Sequence, residues 1–327
     1  MSGRVLATHA LPEPSLSTLE PDFDVRVLDY RPSEAELAAE VADADALITL
    51  VTDPVTEAVL EAGRNLKIVG QYGVGVDNID RSAAAALGIV VTNTPNVLTD
   101  ATADLTMALL LALARRVVEG DRMVRAGLFS GWRPDLLLGT DLKGKLFGVL
   151  GPGRIGRAVA RRARAFGMTV LACGRSPREE GNPDDPPRVS FEDLLRRCDV
   201  VSIHLPLNEE TRGLFDDETL AKMKPGSWLL NTSRGPIVEE AALARALASG
   251  HLAGAGLDVY QNEPAVHTGL LQSDRVILMP HAGSATIETR REMARMVVED
   301  VRRVLSGEKP FRAVAPDSSR ERLRAEL

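Results

Sequence analysis

The stretch VLGPGRIG, residues 149–156, decides the fold. An apolar run, KLFGVLG (145–151), leads into Gly151, Gly153 and Gly156, and a helical pattern, RIGRAVARRARAFG (154–167), follows. A strand, a glycine-rich turn and a helix in that order raise GxGxxG from a weak pattern to a dinucleotide-binding turn. Gly151 allows the tight turn, Gly153 lets backbone approach a pyrophosphate, and Gly156 lets the helix pack close to the sheet. The N–H groups of Arg154 and Ile155 stand at the positive end of the helix, where phosphates bind. Pro152 removes one N–H, ahead of those donors, and its fixed φ stiffens the turn. A tight turn without a ligand is the alternative reading.

The turn begins almost halfway along 327 residues, a length that predicts two domains. Before it, strand-like runs RVLATHA, FDVRVLDY, ALITL, LKIVGQYG and IVVTN alternate with helical stretches such as SEAELAAEVADA. After it come MTVLACG, DVVSIHL, SWLLNTS, AGAGLDV and RVILMPH. This rhythm predicts α/β architecture: two doubly wound parallel-sheet domains with helices on both faces. TDATADLTMALLLALARRV (99–117) and SATIETRREMARMVVEDVRRVL (284–305) read as connecting helices. The first is apolar nearly all round, so burial is expected, with a partner subunit as one candidate cover. The second carries the chain back. The glycine turn therefore opens a domain of residues 101–286, inserted into another made of 1–100 and 287–327. The polar tail after Lys309, with two prolines, reads as loose.

A formal net charge of −7 argues against a nucleic-acid surface. Cys173 and Cys198 form no CxxC or metal-ligand spacing and read as reduced structural thiols, and no metal site is expected. The N-terminus lacks an apolar signal core, and the longest apolar run, LTMALLLALA (105–114), is too short to span a bilayer. A cytoplasmic protein without membrane contact is expected.

The end of the second strand after the turn selects the cofactor. A site for NAD usually places an acid about 20 residues after the first glycine. Here LACGRSPREE puts Gly174, Arg175 and Ser176 there, with no acid before Glu179. An arginine beside a hydroxyl suits a 2′-phosphate through charge-assisted, forked bonds, with Arg178 adding a weaker contact. NADP(H) is expected ahead of NAD(H); a solvated surface arginine is the alternative.

Three further stretches, NTSRGPIVEE, GLDVYQNEPA and MPHAGSAT, place Arg234, Glu263 and His281 just past strands, where α/β sheets bind ligands. An arginine, a carboxylate and a histidine can reduce a keto acid: Arg234 orients the carboxylate and polarises the carbonyl, His281 gives the proton, and Glu263 favours the imidazolium. On residues alone, His281 reads equally as a structural histidine. His204 lies in an apolar strand and reads as structural. His9, His251 and His267 carry no partner motif and read as surface residues, and Trp132 reads as a subunit-contact or support residue.

With these motifs the chain resembles the D-isomer-specific 2-hydroxyacid dehydrogenase family from about residue 45 to residue 305. YGVGVDNID, NTPNVLTDATAD, GPGRIG, HLPLNEETRGLF, NTSRGPIVEE, GLDVYQNEP and PHAGSAT carry the likeness, which is greatest to the glyoxylate/hydroxypyruvate reductase branch. The resemblance implies a Rossmann nucleotide-binding domain inserted into a flavodoxin-like substrate domain, in a homodimer. It implies Arg234, Glu263 and His281 as the catalytic residues. It assigns the substrate carboxylate to the N–H groups of Val74 and Gly75, and the nicotinamide carboxamide to Asp258. Cofactor contacts are implied for Thr102, for Leu205, Pro206 and Thr211 on the adenosine side, and for Thr232 and Gly283 near the nicotinamide. Leu50, Val51 and Tyr72 are expected in the pocket wall, and the cleft is expected to close during reduction to the D-hydroxy acid. The chain departs from its relatives at Pro152, often Leu, and in lacking the acid of NAD-specific members. Alternatives are the same chemistry on 2-ketogluconate, phenylpyruvate or phosphohydroxypyruvate, and a nucleotide-sensing, corepressor-like binding protein.

Overall fold

The computed structural model describes residues 3–175 and 185–316. The expectations for Ser176, Arg178 and Glu179 lie outside the described residues. The chain divides into two compact units, Met1–Leu98 with Ala285–Leu327, and Thr99–Ser284.

The first unit holds β1 (Arg4–Ala7), β2 (Asp24–Val27), β3 (Ala46–Leu50), β4 (Ile68–Tyr72) and β5 (Val90–Thr92) in one parallel sheet, ordered β2-β1-β3-β4-β5. This is the flavodoxin-like doubly wound order. Both faces are covered, so the strands read as near-continuous apolar runs. Leu6, Leu47 and Val69 join one core cluster, while Val5, Ala7, Ala46, Ile48 and Ile68 join the other, the alternation a pleated strand imposes. Helix Ile287–Leu305 buries Met293, Ala294, Val297, Val298 and Val301, and packs on β3 and β4.

The start of the tail is tied down, not loose. Ala313 bridges Thr92 at the sheet edge, and the Val314 N–H donates to Val91 O at 2.8 Å. Arg312 pairs with Asp300, a carboxylate 1% exposed, at 3.1 Å. The unpaired edge of β5 and the buried acid both need partners, and residues 312–314 supply them.

The second unit holds β6 (Leu146–Leu150), β7 (Thr169–Cys173), β8 (Val200–Ile203), β9 (Ser227–Asn231), β10 (Leu252–Leu257) and β11 (Val276–Leu278), ordered β11-β10-β9-β8-β6-β7 and all parallel. A short edge segment extends it: Arg188 bridges Ala172 in parallel, flanked by Ala172 N–H to Pro187 O and Val189 N–H to Ala172 O. Counting that segment third, the order from its edge is 3-2-1-4-5-6-7, the dinucleotide-binding order with one strand added.

Helix Thr99–Arg115 belongs to this unit. It buries Thr102, Ala103, Thr106, Met107, Leu109, Leu110 and Ala114, packs on β9, β10, β11 and helix Arg154–Ala165, and pairs Asp100 and Asp104 with Arg162. The buried face of this helix is therefore covered within the chain, while Leu105, Leu111 and Leu113 are partly exposed. His251 also departs from the surface reading: it is half-buried and bonds Leu220 O at 3.0 Å, since an imidazole leaving water needs a replacement partner. Cys198 is fully buried among apolar side chains, which pushes its thiol up to about 12.

Candidate active site

One end of the second sheet gathers the polar residues. Gly151 follows β6, Arg175 follows β7, Leu205 follows β8, Arg234 follows β9, Asp258 and Glu263 follow β10, and His281 follows β11. These are the carboxyl ends of parallel strands, and the order reverses between β6 and β8 beside the glycine turn.

The turn has the backbone its glycines imply. Gly151 sits at φ +92°, and a Cβ on Gly156 would lie 2.4 Å from Gly151 O, whereas one on Gly153 would meet nothing within 4 Å. Gly153 thus leaves open space on the face where Arg154 begins a twelve-residue helix. The Ile155 and Gly156 amides have no acceptor among the described residues. A positive helix terminus, unpaired amides and open space fit a pyrophosphate. Beyond it, Thr211 Oγ1 donates to Pro206 O at 2.8 Å and closes the loop after β8. From that loop Glu210 pairs with Arg175 at 2.7 Å, and Arg175 is 86% exposed.

Arg234, Glu263 and His281 come together. His281 Nδ1 lies 2.8 Å from Glu263 Oε2, and Glu263 Oε1 accepts the Tyr260 N–H at 3.1 Å. Burial pushes the Glu263 carboxyl up. The His281 hydrogen bond, the His281 charge, the Tyr260 amide and the Arg234 charge outweigh it and hold the carboxyl below its ordinary value. An ionised Glu263 takes a proton-bearing Nδ1, which leaves Nε2 as the nitrogen that exchanges protons with a ligand. His281 stands at φ +53°, anchored by its N–H to Asp258 O at 2.9 Å.

Asp258 is 1% exposed, and its two oxygens accept the Ala282 N–H at 2.7 Å and the Gly283 N–H at 2.8 Å. Burial pushes its carboxyl up against these bonds. Gly283 O in turn accepts from Thr102 Oγ1 at 3.2 Å, and Thr106 and Thr232 share a bond of 2.9 Å. Asp258 is thus the anchor of the segment that presents His281, a role sequence reasoning missed.

Two other positioning residues were missed. Asn231 Nδ2 donates to Arg234 O at 2.9 Å, and a Cβ on Gly235 would fall 1.9 Å from the Tyr260 carbonyl, so the Arg234 backbone is fixed. Glu240, 5% exposed, accepts the N–H groups of Gln261 at 2.5 Å and His267 at 2.7 Å, bracketing Glu263. A carboxylate within the apolar stretch IVEEAALARAL was the available signal. His204 bonds Ser202 Oγ at 2.8 Å, and burial holds its imidazole down to about 3, a neutral structural histidine.

In the first unit the YGVG loop leaves β4. The Gly73, Val74 and Gly75 carbonyls accept from Thr94 N–H at 3.0 Å, Asn93 Nδ2 at 2.7 Å and Gln71 Nε2 at 3.0 Å. The Val74 and Gly75 amides have no acceptor among the described residues. Leu50, Val51 and Tyr72 are partly exposed nearby, with the Tyr72 hydroxyl donating to Arg290 O at 2.9 Å.

Comparison with known proteins identifies relatives of the whole chain. The model for the D-isomer specific 2-hydroxyacid dehydrogenase NAD binding domain matches residues 107–283. The glyoxylate reductase of Thermococcus litoralis is 44% identical over 324 residues, 97% of this chain and 98% of that one. The glyoxylate reductase of Korarchaeum cryptofilum is 46% identical over 315 residues, 95% of each. Among solved structures, the NADPH-dependent glyoxylate/hydroxypyruvate reductase of Sinorhizobium meliloti, in complex with NADP and malonate, superposes with a TM-score of 0.88 at 34% identity, over 97% of this chain and 98% of that one. No helix among the described residues is long and apolar enough to cross a membrane.

Proposed function

Since the chain belongs to the D-isomer specific 2-hydroxyacid dehydrogenase family, we propose that it reduces a small 2-keto acid of the glyoxylate or hydroxypyruvate type to the D-2-hydroxy acid with NAD(P)H. The unit Thr99–Ser284 is assigned the dinucleotide and the other unit the substrate. The observation that carries the reading is the Glu263–His281 pair at 2.8 Å, set with Arg234 at the carboxyl end of the sheet that the glycine turn opens. A nicotinamide cofactor held at the Gly151–Gly156 turn would supply the hydride. Arg234 takes the substrate carboxylate and polarises its carbonyl, and the Val74 and Gly75 amides are assigned as carboxylate donors. His281 Nε2 holds the proton destined for the carbonyl oxygen, and Glu263 stabilises the imidazolium through Nδ1. An initial-rate screen of glyoxylate, hydroxypyruvate, 2-ketogluconate, pyruvate and phenylpyruvate tests this. The highest kcat/KM is expected for one of the first two, and turnover of none would refute it.

NADPH is proposed as the preferred cofactor. Arg175 stands at the end of β7 where no acid does, and Glu210 balances its charge at 2.7 Å. A 2′-phosphate competes with Glu210 for that guanidinium. Arg175→Ala should raise KM for NADPH by about ten- to hundredfold, the scale of one charge-assisted hydrogen bond, and leave NADH nearly unchanged. Glu210→Gln should lower KM for NADPH by up to about fivefold, the scale of a surface ion pair. Equal changes for both cofactors, measured as kcat/KM, would assign Arg175 to the adenine instead.

A homodimer is the proposed assembly. Helix Val117–Arg125 buries no residue, and Val124, Leu128, Phe129, Trp132 and Leu138 are exposed, Trp132 at 83%. This excursion begins and ends where Thr140 N–H meets Ala114 O at 2.8 Å. Exposed apolar residues on one excursion of this kind suit an isologous contact between two copies.

A further inference from the structure

A buried polar chain holds the YGVG loop, and no step of the reaction uses it. Gln71, the penultimate residue of β4, has no exposed surface. Its Nε2 donates to Gly75 O at 3.0 Å and to Asn78 Oδ1 at 2.7 Å. Asn78 Nδ2 donates onward to Leu50 O at 3.0 Å and Asp53 O at 2.9 Å. The Asp53 carboxylate, 1% exposed, accepts from Thr8 Oγ1, Thr49 Oγ1 and the Leu50 N–H at 2.5, 3.0 and 2.7 Å. One network therefore ties the Leu50–Asp53 loop to the YGVG loop.

Peptide planarity gives this network a consequence. In a trans peptide the carbonyl and the N–H that follows it point in opposite directions. Thr94 holds the Gly73 carbonyl, which directs the Val74 N–H the other way; Asn93 does the same for the Gly75 N–H through Val74 O. Gln71 holds the Gly75 carbonyl and so directs the Val76 N–H, which has no acceptor among the described residues. Gly75 is the soft joint of this run, because glycine has the widest choice of φ and ψ. With the peptides on both sides of it pinned, by Asn93 and by Gln71, its dihedrals are frozen before any ligand arrives.

Building on the proposed reduction of a 2-keto acid, we infer that Gln71 is a positioning residue for recognition of the substrate carboxylate. It pre-sets the Gly75 backbone and aims the Val76 amide as a third donor beside those of Val74 and Gly75, with Asn78 relaying its position from Asp53. Freezing one glycine in advance spares the carboxylate that ordering cost, which amounts to about tenfold in affinity.

The test is Gln71→Met, which keeps the side-chain length and removes the donor. KM for glyoxylate should rise about tenfold, while kcat and KM for NADPH stay within about twofold. Gln71→Glu, which keeps the shape but places an acceptor against Gly75 O, should show the same split. Oxalate, a dicarboxylate that needs no turnover, should raise the melting temperature of the wild type and raise it much less in either variant. An unchanged KM for glyoxylate in a folded variant, a joint rise of both KM values, or equal oxalate shifts in variant and wild type would overturn the assignment. A wild type that stabilises with oxalate yet reduces no keto acid would remove the proposed reaction while leaving the carboxylate cradle in place.

Discussion

His281→Gln is expected to lower kcat for keto-acid reduction by about 100- to 10,000-fold, the range for a missing acid–base group. Glutamine keeps a donor for the Glu263 carboxylate, which His281 Nδ1 meets at 2.8 Å, so the segment after β11 should stay in place. It has no proton to exchange at the Nε2 position, so cofactor binding should survive while chemistry fails. Glu263 adds an acid limb to the stability profile. Its carboxyl is held below its ordinary value of 4.5, so its pairing stabilises the fold above about that pH and is lost as pH falls through the lowered value. Glu263→Gln should flatten that limb of the stability profile and reduce kcat. Near-normal turnover in His281→Gln would remove it from the chemistry.

Arg234→Lys should lower kcat/KM for keto acids by about 100-fold, through both a higher KM and a lower kcat. A guanidinium meets carboxylate and carbonyl with a rigid fork, and an ammonium is a point charge that cannot span both. Two charge-assisted hydrogen bonds broken or stretched, at about 1.5 kcal/mol each, account for that factor. The backbone at this position is held independently, by Asn231 on the Arg234 carbonyl at 2.9 Å and by the close approach of Gly235 to Tyr260. The substitution should therefore leave the loop intact, and NADPH affinity measured by fluorescence should change little. A variant that loses cofactor affinity alone would make Arg234 a phosphate ligand.

Much of the architecture was legible because both sheets are parallel and covered on both faces. Such strands read as apolar runs: ALITL became β3 (Ala46–Leu50), and KLFGVLG contained β6 (Leu146–Leu150). The glycine turn, Arg234, Glu263 and His281 were legible because each follows a strand end, where a parallel sheet exposes its ligands. The supporting shell was not. Gln71 is one polar residue inside LKIVGQYG, and it pairs with Asn78 and Gly75 only after the chain turns. The anchoring role of Asp258, whose oxygens accept from Ala282 and Gly283, lies in bonds more than twenty residues on. Bonds that close across a fold leave no period in the sequence. A polar side chain within a strand covered on both faces was the available signal, because burial obliges it to find a partner. Residues 312–314 misled for a related reason: their composition is that of a loop, and their order comes from Asp300 and the edge of β5.

The measurement that bears most directly on the central claim is the fate of a label. The enzyme is given hydroxypyruvate and NADPH carrying deuterium at both C4 positions of the nicotinamide, and the product is read by mass spectrometry and chiral chromatography. The expected product is D-glycerate carrying one deuteron at C2, formed at least about 100-fold more slowly by His281→Gln. Glycerate without deuterium, the L-isomer, or no product from the wild type would contradict it.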